Sequence, residues 1–154
     1  MQLQESLMLI AVDFDGTCVD FAFPLIGKDK RYAVKAMKLL VEAGHRLVLW
    51  TCREDHPIDV NKKYLQDAVE WFEERNIPLV GINVPPEGED IFAEYASNEP
   101  RVFRKLCADA YIDEKNHGVE NGEVDWLQVV WKFVDLAAVR KLLREELDEE
   151  IMRT

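Results

Sequence analysis

A continuous apolar run, Leu7 to Val12, ends abruptly on Asp13. Apolar residues at every position, rather than every second one, describe a strand covered on both faces, as in a parallel sheet. Parallel neighbours need crossover connections, usually helices. The rest of the chain supplies both. Leu47 to Trp50 reads as a second buried strand ending at Thr51, Leu79 to Val84 as a third, and Ala110 to Ile112 as a fourth ending at Asp113. Ala33, Val34, Met37, Leu40 and Val41 recur at helical spacing over 31–43, and Gly44 is a natural stop. Pro57 is placed to open a second helix through Asn76, with Leu65, Ala68, Val69 and Phe72 as its apolar stripe.

Asp125 is a natural cap for a helix over Trp126–Val134, continued or followed by another to about Ile151. Trp126, Trp131 and Phe133 read as core residues of a helix docked on the sheet. The stripe Val139, Leu142, Leu143, Leu147 and Ile151 either completes the core or serves a partner. Residues 14–30 are expected to form a loop or small hairpin. Residues 85–100 are expected as an exposed loop with a helical turn around 92–96, and 116–123 as a further loop. Alternating strands and helices predict an α/β fold with right-handed crossovers. In such sheets the carboxyl ends of the strands carry the chemistry, and three of the four predicted strands end at or just before Asp13, Thr51 and Asp113.

The 154 residues match one domain, 1–154, large enough for a single core. Thirty acids against nineteen Lys and Arg give a net charge of −11, which repels a phosphate backbone and argues against nucleic acid as partner. No stretch approaches the roughly 18–20 apolar residues that span a bilayer, so no membrane partner is expected. The start, Met1 to Glu5, lacks a basic and then apolar leader, and Cys18, Cys52 and Cys107 have no metal-type spacing. A cytoplasmic protein with reduced thiols is the expectation.

Asp13-Phe14-Asp15-Gly16-Thr17 sets two carboxylates two residues apart as the chain leaves a buried strand, which lets both face one site. One can attack an electrophile while the other moves a proton. A phosphate would be repelled by this pair unless a divalent cation reversed the local field, and magnesium suits an all-oxygen site. Thr51 can donate to a phosphate oxygen. Lys105 can hold the transferring group, with Asp113 completing the metal site and Glu114 serving as outer ligand or water-orienting group. Lys115 lies near the same acids and competes with Lys105 for that role. Arg53 reads either as a leaving-group contact or, more simply, as a surface ion pair. His56 and His117 read as loop residues. Phe21, Phe23 and Pro24 either touch substrate or pack on the body.

These segments resemble the haloacid dehalogenase-like (HAD) phosphatases. Ile10 to Thr17 looks like their first motif, hhhDxDGT; Leu47 to Thr51 like the second, an apolar strand ending in Thr or Ser. Lys105 is similar to the third-motif lysine, and Tyr111-Ile112-Asp113-Glu114 resembles the fourth, with Asp-Glu in place of the commoner Asp-Asp. The resemblance spans residues from about 8 to 116. It implies a Rossmann-like three-layer sandwich with a central parallel sheet. The stretches from Asp15 to Thr51 and from Thr51 to Lys105 are each taken up by single elements and loops, so no cap domain is expected, only a short flap at 18–30. The C-terminal helices at about 125–152 lie outside the resemblance. It implies Asp13 as nucleophile, Asp15 as acid and then base, and Mg2+ held by Asp13, the main-chain carbonyl of Asp15, and Asp113. The expected activity is hydrolysis of a small phosphorylated substrate through an aspartyl-phosphate. A phosphotransferase or a non-catalytic module on the same fold are the alternatives, and monomer and homo-oligomer both stay open.

Overall fold

The computed structural model describes residues 6–89, 106–116 and 119–154. The run that opens the chain becomes β1 (Leu9–Val12), buried at every position. It is followed by α1 (Ala33–Glu42), β2 (Arg46–Leu49), α2 (Tyr64–Glu74), β3 (Gly81–Ile82), β4 (Ala110–Ile112), α3 (Trp126–Phe133) and α4 (Leu136–Arg153). The four strands form one all-parallel sheet in the order β3-β2-β1-β4. β1 is therefore interior, with Val12 opposite Leu49 on one side and Ile112 on the other. This is a Rossmann-like α/β arrangement, and it brings the ends of β1, β2 and β4 side by side.

Strand alternation sorts the side chains into two faces. Ile10, Val12, Leu47, Leu49 and Ile112 join a core with Met37 and Leu40 of α1, Trp71 and Phe72 of α2, Trp126 and Val130 of α3, and Leu142 of α4. Leu9, Ala11 and Val48 face the other way, onto Leu106. Among the described residues, all four helices contribute to the first face; a layer over the second is not among them.

The stop at Gly44 is realised as expected. With φ at +99°, its N–H reaches Val41 O at 2.9 Å and the His45 N–H reaches Leu40 O at 3.1 Å, the paired bonds of a Schellman cap. His45 then turns inward: Nδ1 accepts from the Met8 N–H at 3.1 Å, leaving Nε2 to donate to Phe133 O at 2.6 Å. One imidazole thus ties the entries of β1 and β2 to the end of α3.

Two expectations need correction, and two open choices resolve. Pro57 does not open α2, which begins at Tyr64. The preceding residues fold into a turn in which His56 Nδ1 accepts from the N–H groups of Ile58 and Asp59, and Asp55 Oδ1 accepts from those of Leu65 and Gln66. Asp55 thus satisfies the helix's first donors from outside, and local side-chain acceptors outcompete the proline signal. Trp131 is exposed rather than core, because Trp126 and Val130 define the inward face of α3. Of the α4 stripe, Leu142 is buried while Leu143, Leu147 and Ile151 face outward. The choice left open after Trp126–Val134 resolves as two helices, each capped by an aspartate: Asp125 accepts from Gln128 N and Asp135 from Ala138 N. The helical turn expected around 92–96 lies outside the described residues.

Candidate active site

Phe14 positions the two acids that flank it. Its ring is fully buried against Trp71 (5.5 Å between centroids, edge-on) and Phe72 (6.0 Å). With the middle residue driven into the core, Asp13 and Asp15 flank it at the carboxyl end of β1, Asp13 bonded to Thr17 and Asp15 to Arg53. Gly16 follows with φ at +82°, and a Cβ there would sit 3.1 Å from the Glu114 carboxyl carbon. The backbone conformation favours glycine here, and a side chain would also press on the acid that follows β4.

Asp13, Asp113 and Glu114 offer oxygens that all lie within 4.8 Å of one another. The Thr17 hydroxyl stands between two of them, 2.9 Å from Asp13 Oδ2 and 3.0 Å from Glu114 Oε2, while accepting the Glu114 N–H at 3.0 Å. A hydroxyl has one proton to give. It can serve only one of these carboxylates at a time, so the metal-free cluster needs either a shared proton or a cation. The electrostatics agree. Burial, the hydrogen bond with Glu114 and the charges of Asp113 and Glu114 push Asp13 up to about 8. Glu114 moves the opposite way: burial works against its charge, but hydrogen bonds with Asp13, Thr17 and Asp113 outweigh it and hold it below the usual value. Burial also raises Asp113, opposed by the bond that its Oδ1 accepts from Lys115 N at 2.7 Å. Three converging carboxylates with too few protons are a donor set that fits a hard divalent cation.

Thr51 stands at the end of the neighbouring β2. Its N–H is held by Asn83 Oδ1 at 2.8 Å, and its Oγ1 accepts from Arg53 N at 3.1 Å, which leaves the hydroxyl proton to donate elsewhere. Asn83 follows β3 with φ at +56°. Sequence reasoning did not single it out, although an Asn after a strand is a known tolerator of that conformation.

Asp15 is placed differently from the other acids. Its oxygens Oδ1 and Oδ2 accept from Arg53 Nη2 and Nε, both at 2.7 Å. Arg53 is buried, so the ion pair expected of it is formed but does not lie at the surface. The Asp15 carboxylate is outside the Asp13–Asp113–Glu114 cluster, so a metal role for this residue rests on its main-chain carbonyl. Lys105 and His117 lie outside the described residues. Lys115 is exposed, its Nζ 4.0 Å from Glu114 Oε1.

The flap, residues 18–30, is a small hairpin closed by Asp20 N to Lys28 O and Lys30 N to Cys18 O, both 2.8 Å. Asp29 accepts from Trp71 Nε1 at 2.9 Å and from Arg75 Nε and Nη2 at 3.0 Å, and Lys30 reaches Glu123 at 2.7 Å. Phe23 stacks edge-on against Tyr64, 5.3 Å between centroids, whereas Phe21 is exposed. From the far side, the Trp126 indole N–H donates to Thr17 O at 3.0 Å. The site loop is braced on two sides.

Fold and site together define a parallel α/β protein with an acidic cluster at the carboxyl ends of adjacent strands. No protein-family model matches the chain, and no curated protein does. Among solved structures, a conserved protein from Bacteroides thetaiotaomicron is 34% identical, with a TM-score of 0.63, over 85% of this chain and 98% of that one. The chain belongs to the same family as that conserved protein. No helix among the described residues is long and apolar enough to cross a membrane.

Proposed function

We propose that the protein is a magnesium-dependent phosphohydrolase of the HAD-like type, without a cap domain, that cleaves a small phosphomonoester through an aspartyl-phosphate on Asp13. The observation that carries this reading is the convergence of Asp13, Asp113 and Glu114 within 4.8 Å, with one Thr17 hydroxyl between two of them. Magnesium held by Asp13, Asp113 and the main-chain carbonyl of Asp15, with Glu114 beside it, would supply the positive charge that lets a phosphate approach these acids.

In the first step an Asp13 oxygen attacks phosphorus, the bond to the leaving oxygen breaks, and Asp15, in a protonated form that weakens its paired bonds to Arg53, gives that oxygen its proton. Thr51 donates its free hydroxyl proton to a phosphate oxygen. In the second step water attacks the aspartyl-phosphate, its proton passes to Asp15, and the Asp13 carboxylate is released with inorganic phosphate. The phosphate-binding lysine in this reading is Lys105, with Lys115 as the alternative. The test is phosphate release from an aryl phosphate and a panel of phosphorylated metabolites, with and without magnesium. Release that requires magnesium and disappears in Asp13→Asn supports the reading. Full activity in Asp13→Asn excludes the covalent route, and transfer to an added alcohol instead of water identifies a phosphotransferase.

A further inference from the structure

Arg53 is the largest of the fully buried side chains among the described residues, and a buried arginine is tolerated only when its donors are met. All five of its side-chain N–H groups have partners. Nε and one Nη2 hydrogen hold the two Asp15 oxygens at 2.7 Å, and the other Nη2 hydrogen reaches Leu25 O at 2.9 Å. Nη1 reaches Pro24 O at 3.3 Å and Tyr64 O at 3.2 Å. The rings of Phe14 and Phe23 flank the guanidinium with centroids at 5.1 and 5.2 Å. One planar cation therefore joins four pieces of chain: the Asp15 turn, the tip of the flap, the start of α2, and the loop after β2.

The geometry points to Arg53 as the positioning residue of the site, through which the flap and the start of α2 set the orientation of the Asp15 carboxylate. The fork geometry is what makes this work. Two parallel bonds fix the plane of the Asp15 carboxylate as well as its distance, and the three carbonyls fix the plane of the guanidinium in turn. A lysine could carry the charge but could not hold a plane. The coupling runs both ways. Disturbing Asp15 leaves a buried cation short of its partner and loosens its hold on Pro24 and Leu25; disturbing Arg53 frees Asp15. Arg53 is not itself a phosphate ligand, because no donor is left to offer one. Its kinetic consequence, though not its structural one, rests on the phosphohydrolase reading above.

Hydrogen exchange of the full chain separates the two. In Asp15→Asn and Arg53→Lys, amides of residues 20–28 are expected to exchange about tenfold faster or more than in the wild type, while those of β1 and β2 keep their protection. Unchanged flap exchange in Asp15→Asn overturns the proposal. The turnover arm uses a double-mutant cycle. Arg53→Lys is expected to lower kcat with KM within about twofold, and Asp15→Asn/Arg53→Lys to be no slower than Asp15→Asn alone. If Arg53→Lys slows the Asp15→Asn protein by the same factor as the wild type, Arg53 acts independently of Asp15 and the proposal fails. If the wild type releases no phosphate from any ester while Asp15→Asn still loosens the flap, the phosphohydrolase reading fails and the positioning role stands.

Discussion

Thr17 shows how much one hydroxyl can reveal. It sits within bonding distance of Asp13 and Glu114 and can protonate neither, so the charge of the cluster has to be balanced by something else. In the metal-free protein that is a proton, and Asp13, raised to about 8, holds it. The unfolded chain releases the same proton near the ordinary aspartate value of 3.8. Between these values the folded state binds more protons, so this contribution is fully present below about pH 4 and is lost as pH rises through about 8. Asp13→Asn removes the titration. In chelator, the variant's Tm relative to wild type is expected to improve on going from pH 4 to pH 8.5 by at least about 2–4 °C, the shift roughly 1 kcal/mol gives in a domain of this size. A Tm difference that stays flat across this range, read by thermal denaturation, contradicts the prediction. Asp13 and Asp113 were legible because each directly follows a strand. Arg53 was not: its partner Asp15 is 38 positions away, and no pattern in sequence reports burial of a charge.

At the scale of elements, strands were easier to read than helix entries. β1 and β2 announce themselves as unbroken apolar runs, and the cap of α1 follows from Gly44 alone. The start of α2 was misread because Pro57 carries the right local signature, while the acceptor that starts the helix, Asp55, lies ten residues before Leu65. That gives a test. Asp55→Ala leaves two N–H groups at the head of α2 unmet and is expected to cost about 1 kcal/mol, or a Tm loss of about 2–4 °C. Pro57→Ala, outside the helix, is expected to cost much less. Equal losses in the two variants, measured side by side, contradict the assignment of the cap. The consequence reaches the site, since Tyr64 at the head of α2 provides one of the carbonyls that hold Arg53.

For the whole molecule, the charge of −11 and the placement of the acids act together. A phosphorylated substrate approaches a protein of its own sign, so capture is expected to be slowed at low salt. If phosphate release is observed, kcat/KM for a dianionic ester is expected to rise as ionic strength increases, then level off near physiological salt, where the screening length falls to about 8 Å. A steady fall over the same range, in initial-rate measurements, contradicts this and points to a local positive field at the mouth of the site. The parallel sheet itself was readable from alternation, because buried strands joined by helices permit few other arrangements. What alternation could not convey is that the hairpin over the site is pinned by Asp29, Lys30 and Arg53 at three separate places.

The indole of Trp126 is buried and bonded to the carbonyl of Thr17, the residue whose hydroxyl touches Asp13. A chromophore is thus wired to the loop where any cation or phosphate would arrive. Its emission offers an optical gauge: occupancy of the acidic cluster is expected to change the intrinsic fluorescence, and loss of that change in Trp126→Phe assigns it to this indole rather than to Trp50, Trp71 or Trp131.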